Sequence, residues 1–217
     1  MKKTVLRIKN GFSNKKFWFK QRFIDNFSFI HIRKCGGTSI EHFLKIPKTH
    51  DTAAQRMERI GAIRWEKNFT FSIVRNPYSR VVSYYKWFKK KYYGENEDQF
   101  MSLNEWIELS YKGRFEESYF KQKDHNLLKN PFNEPTCFDS VTQDGQIIVK
   151  KIIKLEELDI HWEQLCKELN IKFTPLHVKN RTSMHTSDNA LELLTESNKQ
   201  LISDYFERDF ITFEYKH

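Results

Sequence analysis

Only seven glycines, five prolines and three cysteines occur in the 217 residues of this chain. Cys35, Cys137 and Cys166 are odd in number and show no CxxC spacing, which argues against a disulfide framework and a zinc site. They read as reduced thiols. No stretch approaches the roughly 20 uninterrupted apolar residues that a membrane span needs. The N-terminal MKKTVLRIKNGFSNKKFWFKQRF starts basic, but Lys and Arg break its apolar positions every few residues. The continuous apolar core of a secretory signal is missing, and a cytoplasmic location is expected. No Gly-Lys-Ser/Thr string exists, so the nucleotide-triphosphatase pattern G-x-x-x-x-G-K-[ST] is excluded. The eight histidines show neither H-x-x-x-H nor mixed Cys/His ligand spacing, and no metal is expected.

What is abundant is aromatic and basic. Nineteen Phe, 39% hydrophobic and 30% charged residues describe a globular, aromatic-rich chain of a length that suits one domain, residues 1–217. Thirty-seven basic against 28 acidic residues leave a formal net charge of +9, which favours anionic ligands without naming one. The stretch KKFWFKQRF, Lys15 to Phe23, interleaves cations with aromatics. That pattern suits single-stranded nucleic acid or peripheral contact with a lipid interface, and equally a first helix or strand lying over the core. Lys86 to Tyr93, KWFKKKYY, reads either as a solvated helix end or as a binding groove of cations and aromatic faces.

Two strand-loop-helix units follow one another. Phe27 to Ile32, FSFIHI, is a nearly continuous apolar run, as in a strand buried on both faces. The pair Gly36-Gly37 breaks it, and Ile40, Phe43 and Leu44 then recur at helical spacing. Phe69 to Val74, FTFSIV, repeats the strand, RNPYS the turn, and Arg80 to Lys90 the helix, with Ser79 as N-cap and Pro77 just before it. Two such units predict an α/β fold with a central parallel sheet flanked by helices, a three-layer arrangement like that of the P-loop nucleotide hydrolases. Ligands of such sheets bind at the carboxyl ends of the strands. Further on, a short helix is expected in SLNEWIELSYKG and a hairpin near Asp144-Gly145. A strand in QIIVKKIIKLEEL should run into a helix bearing Leu158, Trp162, Leu165 and Leu169, and one or two helices should fill Asp188 to Phe210.

The glycine loop carries the chemistry. A glycine-rich turn that leaves a parallel strand and enters a helix presents successive N–H groups and a partial positive charge, a geometry that binds phosphate or sulfate. Lys34 supplies a full charge, Thr38 and Ser39 supply hydroxyls, and Gly36 and Gly37 allow close backbone approach. An ordinary β-to-α turn has the same outline. In the second loop, Arg75 at the end of its strand and Ser83 in the following helix can hold another phosphate. Two such cradles point to one ligand with two separated anionic groups.

FIHIRKCGGTSI (Phe29 to Ile40) together with FSIVRNPYSRVVSYYKWF (Phe71 to Phe88) resembles the sulfotransferases that use 3′-phosphoadenosine 5′-phosphosulfate (PAPS). The likeness is to the carbohydrate group, which includes heparan sulfate 2-O-sulfotransferase-like and many bacterial enzymes. That group has a pattern close to F-I-H-I-P-K-T-G-G-T-S and then R-N-P-x-x-R-x-V-S-x-Y. The resemblance implies that Arg33, Lys34, Cys35, Gly36, Gly37, Thr38 and Ser39 line the site of the 5′-phosphosulfate, and that Arg75 and Ser83 bind the 3′-phosphate. It extends more weakly to HDTAAQRMERIG, to KLEELDIHWEQLCKELNI and to HVKNRTS. Arg33 stands where the group usually has Pro, and Cys35 where Thr is commonest, so a hydroxyl is lost.

The implied reaction passes SO3 to an acceptor hydroxyl, on a glycan or glycolipid, with PAPS as co-substrate and no metal. By analogy with phosphoryl transfer, positioning and charge stabilisation govern such a step, and Lys34 is placed to stabilise the leaving oxygen. His50, in KTHDTA, matches the segment in which the family has its proposed base, and it is the candidate here. Asn180 and Arg181, between His177 and His185, are further candidates for donor or acceptor contact. His31 is expected to pack in the core, and His42, His125, His161 and His217 to lie at the surface. Three rival functions stay open. A small-molecule P-loop kinase would need Gly-Lys-Ser/Thr and a magnesium-binding Asp, a nucleic-acid module would give no reason for the paired loops, and an inactive sulfotransferase-fold protein would bind donor without turnover. A nucleic-acid partner is not expected.

Overall fold

The computed structural model describes residues 15–94, 100–111, 135–176 and 190–217. His125, His177, Asn180, Arg181 and His185 lie outside the described residues. In chain order the elements are α1 (15–23), β1 (Phe27–Ile30), α2 (Gly37–Leu44), α3 (Ala53–Ile60), α4 (Ala62–Lys67), β2 (Phe69–Val74), α5 (Pro77–Tyr93), α6 (Leu103–Tyr111), α7 (Cys137–Val141), β3 (Thr142–Gln143), β4 (Gln146–Ile147), β5 (Lys151–Lys154), α8 (Leu158–Glu168), α9 (Glu196–Tyr205) and α10 (Glu207–Thr212). They fall into two compact units, 15–74 with 139–176, and 75–94, 100–111, 135–138 with 190–217.

The first unit is a parallel sheet in the order β1-β2-β5. Ile30 sits opposite Ser72, and Val74 opposite Lys154, so the carboxyl ends of all three strands lie along one edge. The period of two along a strand sorts the side chains onto two faces. Phe29, Phe71, Ile73 and Ile153 turn to one face and pack with Ile40 of α2 and with Leu158, Trp162 and Leu165 of α8. The Phe29 and Phe71 rings stack with centroids 5.0 Å apart. The opposite face carries fully buried Ser28, Thr70 and Ser72. Burial is tolerable only because each is paired: Ser28 donates to Gln21 Oε1 of α1 at 3.0 Å and Ser72 to the Ile30 carbonyl at 2.8 Å, while Thr70 Oγ1 accepts from the Lys150 amide at 2.9 Å. Helices thus flank the sheet, as the repeated strand-loop-helix pattern predicts.

The turn between β3 and β4 puts Asp144 and Gly145 at φ 51° and 77°, the two positive values that a two-residue type I′ hairpin requires. Gln146 and Ile147 belong to this hairpin, so the third sheet strand starts only at Lys151.

In the second unit α5 is longer than its apolar spacing predicts. Asn76, not Ser79, is the N-cap: its side chain accepts the Ser79 amide at 3.3 Å, and Pro77 takes the first helical position. Tyr78, Val81, Val82, Tyr85 and Phe88 of α5 form an aromatic-rich core with Trp106 and Ile107 of α6, Ile202 of α9 and Phe210 of α10. In the described part of the tail, α9 and α10 follow a further helical stretch at 190–192. Between them and α7, the buried Asp209 carboxylate accepts the amides of Cys137 and Phe138 at 3.0 and 2.7 Å. At the far end of α5, Phe88 is buried while Trp87 leans edge-on against Tyr84 and under Lys91 Nζ, 4.6 Å from its ring.

Candidate functional site

The loop that leaves β1 is a tight turn over 33–36, in which Lys34 and Gly36 both take left-handed backbone, φ 67° and 76°. The Cys35 amide donates to the Ile32 carbonyl at 3.3 Å, and the Ser39 amide to the Gly36 carbonyl at 3.2 Å. Gly36 is the N-cap of α2 and brings no side-chain cap, so the first helical amides receive none of the internal acceptance that Ser or Asp would give. Such an end offers N–H groups and the positive pole of the helix to an anion. Lys34 and Ser39 are half-buried and Thr38 is exposed. The Cys35 side chain is 1% exposed, with Sγ 3.6 Å from the Arg33 carbonyl. Its departure from Thr therefore concerns the underside of the loop.

The glycine pair is explained by what surrounds it. A Cβ on Gly36 would stand 2.6 Å from Leu155 Cδ1, in a backbone conformation that side chains disfavour. A Cβ on Gly37 would stand 2.2 Å from His31 Cδ2. Close approach is needed, as the sequence implies, but the groups approaching these two positions are Leu155 and His31 of the protein itself. The Gly37→Ala variant tests this. In an open helix the change gains about 1 kcal/mol, whereas here the buried imidazole must move, and overpacking of this kind costs about 1–3 kcal/mol. A net fall in stability, read from chemical denaturation, is expected; a gain would show that His31 yields freely.

His31 is buried, and its Nδ1 lies 2.7 Å from Oε1 of Glu41, itself 4% exposed on α2. The same Glu41 oxygen accepts the Thr49 amide at 3.2 Å. His50 follows, half-buried, with its ring 4.5 Å from that of His31 and its Nδ1 3.3 Å from the His31 carbonyl. A carbonyl can only accept, so Nδ1 carries the proton and Nε2 keeps its lone pair. Burial, then the charges of His31, Arg33 and Lys48, pull the His50 pKa from 6.5 down to about 4. At neutral pH the ring is uncharged and able to take a proton.

The residues on either side of His50 are held by one buried cation. Arg56, 1% exposed on α3, donates from Nε to Asp51 Oδ2 at 2.9 Å, from one terminal nitrogen to Thr49 Oγ1 at 2.6 Å and from the other to Gln21 Oε1 at 3.2 Å. Its guanidinium also lies over the rings of Phe17 and Trp18, at 5.3 and 5.0 Å. Thr52 closes the segment with a capping box to Gln55 at the start of α3.

Arg75, 9% exposed, is the first residue after β2, and Ser83 is half-buried in the second turn of α5. His42 is exposed, as expected. Among the described residues no group of three or more His, Cys, Asp or Glu is placed to hold a metal ion, and no helix is long and apolar enough to cross a membrane.

Glu41, Arg56 and Gln21 support the candidate site and are passed over by motif reading. A signal existed: Ala53, Arg56 and Ile60 share the buried stripe of α3, Phe17 and Gln21 that of α1, and Gly37 and Glu41 that of α2. A charged or amide side chain on an apolar stripe needs buried partners, and those of Arg56 and Glu41 include Thr49 and Asp51, the neighbours of His50.

The family model described as "Sulfotransferase family" matches residues 16–216. No curated protein and no solved structure matches the chain. The match spans nearly all of the sequence and includes both loops, and the parallel sheet flanked by helices is the P-loop-like fold of these enzymes. The chain belongs to the sulfotransferase family.

Proposed function

We propose that this sulfotransferase takes its sulfuryl group from PAPS and passes it to a hydroxyl of a carbohydrate, free or carried on a lipid. The observation that carries the mechanism is the His50 geometry: Nδ1 is engaged by the His31 carbonyl, which leaves Nε2 as an uncharged base. In the proposed step the acceptor oxygen attacks sulfur while the bond from sulfur to the 5′-phosphate oxygen breaks. The bonding pair stays on that oxygen, giving 3′-phosphoadenosine 5′-phosphate, and the acceptor proton moves to His50 Nε2. Lys34 and the uncapped amides of α2 meet the charge on the departing oxygen, which is where preorganised donors lower a barrier most. Arg75 and Ser83 hold the 3′-phosphate. Bound anions offset the cationic neighbours Arg33 and Lys48 that depress His50, so donor binding raises its affinity for the proton it must accept.

Titration calorimetry with 3′-phosphoadenosine 5′-phosphate in metal-free buffer tests the donor. Micromolar binding is expected, falling roughly tenfold or more in Arg75→Ala, the equivalent of the ~1.5–3 kcal/mol of a charged hydrogen bond. Absence of binding by the wild-type chain, or an Arg75→Ala variant that binds equally well, would overturn the assignment. Binding with no transfer to any of a panel of glycans would retain the donor and refute the carbohydrate acceptor.

A further inference from the structure

The net charge of this chain is concentrated at one place. Residues 1–24 contain eight Lys and Arg and no Asp or Glu, so the remaining 193 residues, with 29 basic against 28 acidic, are close to neutral. The described part of this segment is α1, and its two faces differ sharply. The inner face is fixed: Phe17 is 5% and Gln21 1% exposed, Arg56 lies over Phe17 and Trp18, and Arg64 donates to the carbonyls of Gln21 and Asp25. The outer face presents Phe19, Phe23 and Ile24 at 56%, 61% and 59% exposure, with the Phe19 and Phe23 rings 5.1 Å apart. Lys15, Lys16, Lys20 and Arg22 surround them, also exposed. Ile63, next to the Arg64 that ties α4 to α1, is 76% exposed. Arg59 from α3 closes a shallow groove with Trp18, Phe19, Arg22 and Phe23, its guanidinium 4.8 Å from the Trp18 ring centroid.

We infer that the outer face of α1 docks on an anionic lipid bilayer. Large apolar side chains projecting from a helix rimmed with cations match an interfacial helix, in which rings enter the headgroup boundary and Lys and Arg meet lipid phosphates. The chemistry of the face also selects among anionic partners. Its exposed residues from 15 to 24 are cationic or apolar only, and the one amide, Gln21, is buried in bonds to Asp25, Phe27, Ser28 and Arg56. The polar side chains left on it are cations, which meet phosphate, and the exposed Ile24 beside the two rings offers no stacking plane but suits insertion at an acyl boundary. Because the inner face alone ties α1 to the sheet, the outer rings are not needed for folding. This inference does not depend on the identity of the sulfuryl donor.

The experiment is flotation of the full chain with phosphatidylcholine vesicles, with and without phosphatidylserine. Binding to the phosphatidylserine vesicles, weakened by salt, is expected, as is little binding to phosphatidylcholine alone. Phe19→Ser with Phe23→Ser should reduce the bound fraction about tenfold or more, since most of the apolar insertion is removed, while the melting temperature stays near wild type. Lys20→Glu with Arg22→Glu should do the same through the charge. Failure to float with phosphatidylserine vesicles would overturn the inference. So would undiminished flotation of the double Phe variant, which would reduce the effect to diffuse attraction by basic residues. Binding to heparin or single-stranded RNA that is lost in the Phe variant, without flotation, would assign the face to a polyanion instead.

Discussion

Lys34→Ala should lower the turnover number for sulfuryl transfer by about 10²–10³, the loss typical when one preorganised donor to a developing oxyanion is removed. Lys34 sits at φ 67° in the turn between β1 and α2, two residues before a second left-handed position at Gly36. Alanine carries a Cβ as lysine does, so its conformational cost at that φ is the same and the turn is not relaxed by the change. What is lost is the ammonium group. Charge builds on the bridging oxygen only as the sulfur–oxygen bond breaks, so an ammonium aimed there acts more strongly on the transition state than on bound donor. A fall in turnover should therefore exceed any fall in affinity for 3′-phosphoadenosine 5′-phosphate, with the melting temperature unchanged. Release of that nucleotide in the presence of acceptor supplies the rate, and calorimetry the affinity. A fall in affinity with turnover unchanged would assign Lys34 to ground-state binding, and no fall in either would remove it from the reaction.

The sheet was legible because buried parallel strands write continuous apolar runs, and FSFI and FTFSIV are separated by turn residues that helices follow. The start of α5 was misplaced for a local reason. Asn76 and Pro77 form a cap and first turn on their own, whereas apolar periodicity marks only the part of a helix that packs. The loop motif announced an anion site, yet spacing alone could not say that the volume over Gly36 and Gly37 is taken by Leu155 and His31, because Leu155 lies more than a hundred residues away. Nor could it show that the Cys35 side chain turns inward. His50 was legible only through resemblance. The features behind its candidacy as a base, the His31 carbonyl on Nδ1 and the burial that keeps the ring uncharged, are assembled by tertiary contact.

Arg56→Met should cost about 3–5 kcal/mol of stability, the usual result of removing one partner from a buried ion pair. Methionine retains much of the volume and the packing against Phe17 and Trp18. It leaves Asp51 without its nearest cation, since the exposed Arg59 guanidinium is 3.8 Å away where Arg56 Nε is 2.9 Å, and it withdraws a donor each from Thr49 and Gln21. Adding Asp51→Asn separates stability from function. Once the carboxylate is gone, no charge is left poorly paired, so the double variant should recover a large part of the lost stability. It should not recover turnover, because Thr49 and residue 51, the neighbours of His50 on either side, are still not tied to α3. Denaturation midpoints and turnover numbers for the two variants and the wild type measure both effects. A double variant that regains stability and rate together would make Arg56 a purely structural cation. Stability regained with turnover still depressed and donor affinity intact identifies it as the residue that positions the base.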